Sequence, residues 1–164
     1  MKPANRNDQK ASLSWSPPRW TIPLVTRLQS WIYEKTGGRI WTRAMRMHHL
    51  LLRNVGRRSG RLQVACLPFW LDADEHRIVV ASFGGGPRHP AWYHNLCDTT
   101  VNPELIVRDK RRVFWAKAQV LMGEERAAIW KELTLDRPFY EGYQAKTQRV
   151  IPLVRLVETR PYEG

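Results

Sequence analysis

The alternation of apolar and polar positions predicts six β-strands in the chain after residue 46. The run from Arg111 to Met122 is the clearest of them, with apolar Phe114, Ala116, Ala118, Val120 and Met122 alternating with Trp115, Lys117 and Gln119. Successive side chains of a strand point to opposite faces, so this strand has one buried and one wetter face. The other predicted strands are apolar runs bounded by glycine, proline or acidic turns: His48–Val55, Leu62–Leu71, His76–Phe83, Glu104–Arg108 and Val150–Val157.

Helical patterns occupy four other stretches of the chain. From Thr21 apolar residues recur on one face until Gly37 and Gly38 end the pattern. The other predicted helices are Pro90–Cys97, Glu124–Leu135 and Tyr140–Thr147. Residues 1–20 are polar and then rich in proline and tryptophan. We therefore expect a flexible tail (1–20), an N-terminal amphipathic helix region (21–46) and one folded domain (47–164).

The order of these elements predicts the fold class. Strands mostly follow strands, which indicates a mainly β (α+β) fold, an antiparallel barrel or sandwich with peripheral helices. A dinucleotide-binding fold would need strands and helices to alternate and a GxGxxG motif at the first turn, and the sequence has neither.

Composition changes the picture in two ways. Hydrophobic residues make up 43% of the chain, which includes eight tryptophans, so the chain can bury a core and the disordered class is excluded. The 27 Lys and Arg residues outnumber the 15 Asp and Glu residues, which gives a formal net charge of +12. This balance predicts an anionic partner: nucleic acid, anionic lipid or a multiply charged small molecule. We expect no nucleic-acid partner, because the sequence contains no recognised nucleic-acid-binding motif.

Cysteine usage and hydropathy predict a cytoplasmic protein. Cys66 and Cys97 form no CxxC or framework pattern, which fits a reducing compartment. No signal peptide pattern and no apolar run long enough to span a bilayer occur in the sequence. Two interpretations of the basic amphipathic helix at 21–46 stay open: it packs on the domain, or it lies on the anionic inner face of a membrane.

Three stretches carry candidate chemistry, each with a plain structural alternative. The turn Gly56–Arg61 combines glycines, which can aim backbone N–H groups outward, with arginines and a serine, so it could hold a phosphate. Alternatively it is a solvated basic hairpin. The loop and helix start Ser82–Leu96 contain three glycines followed by Trp92 and Tyr93, which suits a flat ring system. The alternative is an irregular connection.

The third stretch contains Tyr140 and Tyr143, which lie on one side of a predicted helix. Their hydroxyls could point into a pocket, or the pair could be half-buried packing. No metal site is predicted, because the spacing of His89, His94 and Cys97 matches no zinc template. Ser82 also lacks the GxSxG context of a hydrolase nucleophile.

Taken in order, several motifs of this chain resemble the deazaflavin-dependent nitroreductase family. They are Leu51-Leu52-(x)3-Gly56-Arg57-Arg58-Ser59-Gly60, Ala81-Ser82-(x)-Gly84-Gly85-(x)-Pro87-(x)-His89-Pro90-Ala91-Trp92-Tyr93-(x)-Asn95-Leu96, Asn102-Pro103, Tyr140-(x)2-Tyr143-Gln144 and Arg149-(x)-Ile151-Pro152. The resemblance implies a six-stranded split β-barrel that uses the 8-hydroxy-5-deazaflavin coenzyme F420 rather than FMN. Barrels of this kind are often homodimers.

The resemblance also implies site residues. The cofactor phosphate would bind Arg57, Arg58, Ser59 and Gly60, and the ring and its side chain would lie along Gln63, Val64, Ala65, Cys66, Leu67 and Pro68. Val80, Ala81, Ser82 and Phe83 would border the ring, and Ala91, Trp92, Tyr93, His94 and Asn95 would cover it. Tyr140 would reach both cofactor and substrate, with Ser82 and Tyr143 on the substrate side.

The function implied by the resemblance is hydride transfer from reduced F420 to a quinone, enone or nitro compound, with Tyr140 or Ser82 as the proton donor. The chain departs from the family pattern at Phe83, Cys66 and Arg137, which affects contacts to the cofactor's glutamate tail and reduction of nitroimidazoles. The alternative is a non-catalytic carrier of a cofactor, lipid or tetrapyrrole on the same barrel.

Overall fold

The computed structural model describes residues 47–163, whose six strands close into one barrel. The strands are β1 (His49–Val55), β2 (Leu62–Leu71), β3 (Arg77–Val80), β4 (Leu105–Asp109), β5 (Arg112–Val120) and β6 (Leu153–Pro161). All neighbouring strands are antiparallel, in the order β1-β2-β3-β6-β5-β4, and β4 pairs with β1 to close the barrel. The predicted mainly β, six-stranded antiparallel barrel is therefore confirmed. The predicted tail (1–20) and N-terminal helix region (21–46) lie outside the described residues.

The alternation of side chains along β5 builds the barrel interior as predicted. Phe114 and Ala116 are fully buried, and Ala118 and Val120 pack against the same interior cluster. Met122 was expected on this buried face, but 73% of its surface is exposed. The reason is that β5 ends at Val120, and Met122 is already the N-cap of the next helix.

Within residues 47–163, three α-helices surround the barrel. They are α1 (Ala91–Leu96), α2 (Gly123–Asp136) and α3 (Phe139–Ala145). From α1, Leu96 joins the barrel core, which is also contacted by Trp92 and Tyr93. Leu133 of α2 and Tyr140 of α3 instead form a second buried cluster with strand residues of the barrel wall. The helices therefore lie at the periphery, and α1 and α3 pack against different parts of the barrel.

Two strands, β3 and β6, have boundaries that differ from the prediction by about three residues or more. The third strand ends at Val80 rather than Phe83, because Phe83 has a positive φ of 47° that an extended strand does not allow. The last strand begins at Leu153 rather than Val150 and continues to Pro161. The segment before Leu153 is bonded to a side chain instead of a strand, because Gln144 Oε1 accepts from the Ile151 amide at 2.9 Å.

None of the helices within residues 47–163 combines the length and the apolar composition that crossing a membrane requires.

Candidate functional site

The turn between β1 and β2 has a tightly closed backbone. The Gly56 amide donates to Arg61 O and the Gly60 amide donates to Gly56 O, both at 2.8 Å. Gly60 has a φ of +63°, and a Cβ added at Gly56 would lie 2.6 Å from Ser59 Oγ. Residues with a side chain rarely adopt the first conformation, and a Cβ at the second position would displace the Ser59 hydroxyl. Both positions of this turn therefore favour glycine.

The amides of the turn are used inside the chain. Those of Ser59 and Gly60 donate to Gly56 O, and that of Arg61 donates to Ser59 Oγ. The Arg57 amide donates to Asn95 Oδ1 at 3.2 Å. The expectation that the turn aims its N–H groups outward is wrong for these four residues. An anion bound here would be held mainly by side chains, and the arginines at 57, 58 and 61 are all exposed.

A network of buried asparagines joins this turn to helix α1. Asn95 of α1 accepts from the turn through Oδ1 and donates through Nδ2 to Asn54 Oδ1 at 2.8 Å. Asn102 donates to Val55 O and to Asn95 O, each at 2.9 Å, and accepts from the Val55 amide at 2.7 Å. The predicted phosphate turn and the predicted ring-covering helix are thus one hydrogen-bonded unit. Both polar groups of the Asn95 side chain bond to the chain itself, and its contact with a cofactor stays a prediction.

The glycine-rich loop that precedes α1 has an unusual backbone. Phe83, Gly84 and Gly85 have φ values of 47°, 63° and 78° in succession. The left-handed conformation costs a residue with a side chain about 1–2 kcal/mol, so Phe83 must be held there by its surroundings. A Cβ at Gly85 would lie 2.5 Å from Tyr143 O. The loop therefore lies directly against α3, and only glycine allows so close an approach.

The guanidinium of Arg149 fixes this loop from the other side. Its nitrogens donate to Ala81 O at 3.1 Å, Ser82 O at 2.8 Å and Gly86 O at 2.9 Å, and it contacts His89 Nδ1 at 2.9 Å. No role for Arg149 could be assigned from the sequence, although it belongs to one of the motifs that carry the resemblance. The only signal was its place in that motif, because periodicity does not show which distant carbonyls a side chain reaches.

The contact with Arg149 determines the protonation of His89. A guanidinium has only N–H donors, so His89 Nδ1 accepts and its proton lies on Nε2. Burial, and then the nearby charge of Arg149, lower the pKa of His89. The ring lies 4.9 Å from that of Tyr93, whose pKa burial raises to about 12. Both His89 and Tyr93 are therefore neutral at physiological pH.

The two tyrosines of α3 lie in the second buried cluster. Tyr140 is 5% exposed and packs beside Ile78 and Leu153, and its ring lies 5.9 Å from that of Tyr143. Val80, predicted to border the ring system, packs against the same cluster. Burial raises the pKa of both tyrosines, and the repulsion that an ionised Tyr143 would exert raises the pKa of Tyr140 further. Their hydroxyls thus stay protonated and can donate hydrogen bonds.

Strand β2 divides its predicted ligand-facing residues between two faces. Ala65 lies opposite Leu52, a residue of the barrel core, and Leu67 packs against that core. Cys66 forms a separate cluster with Leu51 on the other face. The side chains of residues 63–68 therefore alternate between two faces, and a ligand that contacts all six residues would have to use backbone atoms as well. Burial raises the pKa of the Cys66 thiol to about 12, so this thiol is not a nucleophile.

Other predicted residues lie around α1 and the loop. Ala81 is fully buried, Ser82, Trp92 and Tyr93 are half-buried, and Ala91 and His94 are exposed. A cavity of about 380 Å³ is lined by residues of β1, β4, β5 and β6, among them Arg53, Ile106, Trp115 and Arg160. None of the predicted site residues lines that cavity.

One group of ligating side chains within residues 47–163 could in principle hold a cation. Ligand atoms of Asp72, Asp74 and His76 lie within 4.8 Å of one another. However, Asp72 Oδ1 already accepts from the amides of Asp74 and His76, and Oδ2 accepts from Arg155 Nε at 3.1 Å. The carboxylate is thus committed to hydrogen bonds and to an ion pair.

The chemistry of the site suits a phosphorylated, anionic ring system. Exposed guanidinium groups surround the β1–β2 turn, and half-buried Trp92 and Tyr93 lie on the helix that this turn is bonded to. Neutral buried hydroxyl groups lie beyond the glycine-rich loop, on α3. This donor set fits a deazaflavin with a phosphate on its side chain.

Comparisons with known proteins show which proteins this chain is similar to. The sequence model of a family described as F420H(2)-dependent quinone reductase matches residues 25–158. An F420H(2)-dependent quinone reductase of Mycobacterium tuberculosis strain H37Rv is 37% identical over 138 residues, which cover 80% of this chain and 89% of that protein.

Two solved structures are also similar. An F420-H2 dependent reductase (FDR-A) has 35% identity and a TM-score of 0.55, with 66% of this chain and 92% of that chain covered. A chain described as a domain-swapped dimer has 30% identity and a TM-score of 0.58, with 86% and 99% covered.

Proposed function

Because this chain belongs to the F420H(2)-dependent quinone reductase family, we propose that it is an oxidoreductase that transfers a hydride from reduced coenzyme F420 to a quinone. The deazaflavin-dependent family, the cofactor F420 and the enzyme class predicted from the sequence are confirmed by this membership. The substrate is a small molecule.

One observation in the structure supports the proposal most directly: the arginine-bearing turn is bonded to helix α1. Because the Arg57 amide donates to Asn95, the groups proposed for the phosphate and for the ring keep a fixed spacing. The phosphate would lie next to Gly60 and be held by the side chains of Arg57, Arg58 and Ser59. The ring would lie against Trp92 and Tyr93. A ligand with an anionic end and a flat end is the kind that such a pair of groups would bind.

The chemistry supplied by the bound cofactor is hydride donation to an electrophilic carbon or oxygen. The residues of this chain would orient the reactants, exclude water and stabilise the charge that the quinone oxygen acquires. Tyr140 is suited to that last role, because burial keeps its hydroxyl protonated and therefore able to donate a hydrogen bond. Ser82 and Tyr143 would lie on the substrate side, next to the loop that Gly85 seats against α3.

The test is an anaerobic reaction of purified protein with reduced F420 and menadione, followed by the return of oxidised deazaflavin absorbance. We expect turnover that depends on protein, on quinone and on the deazaflavin, with little activity when reduced FMN or NADPH replaces it. Binding of F420 without turnover of any quinone would instead favour the carrier function. No binding of F420 at all would contradict the proposal.

The proposal extends to self-association. One similar solved chain, at 30% identity, is described as a domain-swapped dimer, which supports a homodimer here. Light scattering coupled to size-exclusion chromatography should give twice the chain mass of 19.3 kDa. A single-chain mass at micromolar concentration would contradict it.

We also propose that the chain is cytoplasmic and that its basic N-terminal region binds an anionic membrane surface. The support is the sequence of this region, which carries Trp31 beside the predicted apolar stripe and the basic residues Arg27 and Lys35 elsewhere on the predicted helix. Full-length protein should pellet with vesicles that contain anionic lipid and not with neutral vesicles. The double variant R27E/K35E should pellet less, and equal pelleting of both proteins would refute the idea.

A further inference from the structure

We propose that Arg149 is a positioning residue for the site: its guanidinium holds the loop Ser82–Pro90 and the start of helix α1 in the conformation that receives the ring of the ligand. The naming of that ligand as F420 rests on the proposed function. The role of Arg149 itself rests on hydrogen bonds within the chain.

The guanidinium of Arg149 donates hydrogen bonds to both ends of the left-handed segment of the loop. Nη2 donates to the carbonyls of Ala81 and Ser82 at 3.1 and 2.8 Å, and Nε donates to Gly86 O at 2.9 Å. These carbonyls stand on either side of the left-handed residues 83–85. Because the guanidinium is planar and rigid, it sets the distance between the two ends of this segment.

Within the strained segment between these anchors, two backbone hydrogen bonds are formed. The Gly85 amide donates to Ser82 O and the Gly86 amide donates to Phe83 O, each at 3.0 Å. Ser82 O thus accepts both from Gly85 and from Arg149. Such unfavourable backbone persists where surrounding bonds determine it, and that occurs most often at functional sites.

The same guanidinium also reaches the start of α1. Nη1 contacts His89 Nδ1 at 2.9 Å, and His89 directly precedes Pro90, the N-cap of α1. The His89 ring lies 4.9 Å from Tyr93, one of the residues expected to cover the ring. Removal of Arg149 should therefore release both the loop and the orientation of the helix start.

Arg126 provides a matched control for a purely structural role. Its guanidinium donates twice to Ile151 O, at 3.3 and 2.8 Å, and stacks over Trp130 at 4.8 Å. It therefore anchors the same segment, two residues from Arg149, and none of these bonds involves the loop. If Arg149 only stabilised this segment, the variant R126M would reproduce the effects of R149M.

The experiment compares the full-length variants R149M, R149K and R126M with the natural chain. Hydrogen exchange of the Gly85 and Gly86 amides, measured without cofactor, reports the order of the loop. Fluorescence titration with F420 gives Kd, and steady-state kinetics separate the KM for reduced F420 from kcat. For R149M we expect exchange at both amides to be at least about tenfold faster and F420 binding at least about tenfold weaker.

R149K should lie between R149M and the natural chain, because an ammonium group keeps the charge and some donors but not the planar fork. R126M should lower Tm yet change loop exchange and Kd by less than about threefold. Equal effects of R149M and R126M, or a change of Tm alone, would overturn the inference.

If R149M does not fold, R149K and H89A take its place, and both should speed exchange at Gly85 and Gly86 relative to R126M. If the natural chain does not bind F420, the proposed function fails. The exchange data then decide the role of Arg149 alone, and unchanged exchange in the Arg149 variants refutes it.

Discussion

Replacing Asn95 by alanine removes the link between the arginine turn and helix α1. The Asn54 Oδ1 atom, which now accepts from Asn95 Nδ2 at 2.8 Å, would be left buried without that donor. An unsatisfied buried group costs about 1–3 kcal/mol. The Arg57 amide, bonded to Asn95 Oδ1 at 3.2 Å, is closer to solvent, so its loss adds about 0.5–1.5 kcal/mol.

The variant N95A should therefore lose about 1.5–4.5 kcal/mol of unfolding free energy, which for a chain of this size lowers Tm by roughly 3–18 °C. Urea unfolding measures this loss as a lower midpoint with an unchanged slope. F420 affinity should fall as well, because the turn is no longer fixed to α1. N102A is the matched control: it loses the hydrogen bonds to Val55 and Asn95 O but leaves the Arg57 amide bonded, so its affinity should change less.

A double-mutant cycle tests the reasoning most strictly. When Asn54 is also replaced by alanine, no buried oxygen is left unpaired, so N54A/N95A should cost less than the sum of the single variants by about 0.5–3 kcal/mol. Additive losses would refute the role given to the hydrogen bond between these two side chains. So would an N95A protein within about 0.5 kcal/mol of the natural chain.

Further outcomes follow from other parts of the site. G85A should lose more stability and more quinone turnover than G84A, because a Cβ at Gly85 would lie 2.5 Å from a carbonyl oxygen of α3. Nothing lies within 4 Å of a Cβ at Gly84, so G84A should cost only the left-handed strain of about 1–2 kcal/mol. Equal losses of the two variants in thermal melts would contradict this. Y140F should lower kcat about a hundredfold if the hydroxyl stabilises the reduced quinone oxygen. Because burial raises the pKa of Tyr140, its hydroxyl keeps its proton as the pH rises. The pH profile of kcat for the natural chain should therefore show no loss from this group up to about pH 10. A loss of kcat near neutral pH that Y140F abolishes would refute the assignment. In the folded chain a thiol reagent near pH 8 should modify exposed Cys97 but not Cys66, because burial raises the pKa of Cys66 to about 12. After denaturation the reagent should modify both cysteines. Rapid modification of both in the folded chain would contradict the burial of Cys66.

The strands could be predicted from the sequence because each reports its own environment. β2 was predicted at its observed bounds, Leu62–Leu71, since a glycine turn and an acidic turn enclose an apolar run. The alternation in β5 likewise identified the buried face that Phe114 and Ala116 occupy. The predictions were wrong at strand ends, as at Phe83 and Val150, where contacts with other elements take the place of the hydrogen bonds between strands.

The internal bonds of the site could not be predicted in the same way. Asn95 bonds to an amide 38 positions away, and Arg149 bonds to carbonyls 63 to 68 positions away. Side-chain periodicity indicates which face of an element is buried, but it does not identify a partner across the fold. The order of motifs located the turn, the loop and the tyrosines, and the closed barrel was needed to show that Asn95 and Arg149 connect them.

The arginine turn and the loop fixed by Arg149 would contribute to ligand binding through two different kinds of contact. The turn uses its amides internally, so an anion would meet its exposed arginine side chains, whose attraction acts at a distance and is weakened by salt. The loop and α1 are instead fixed by Arg149 through bonds that are partly shielded from solvent, which sets an orientation. Hydride transfer requires a definite distance and angle at the ring, whereas the phosphate needs only to be retained. The proposed reaction therefore requires a rigid loop next to the ring of the cofactor and exposed positive charge next to its phosphate.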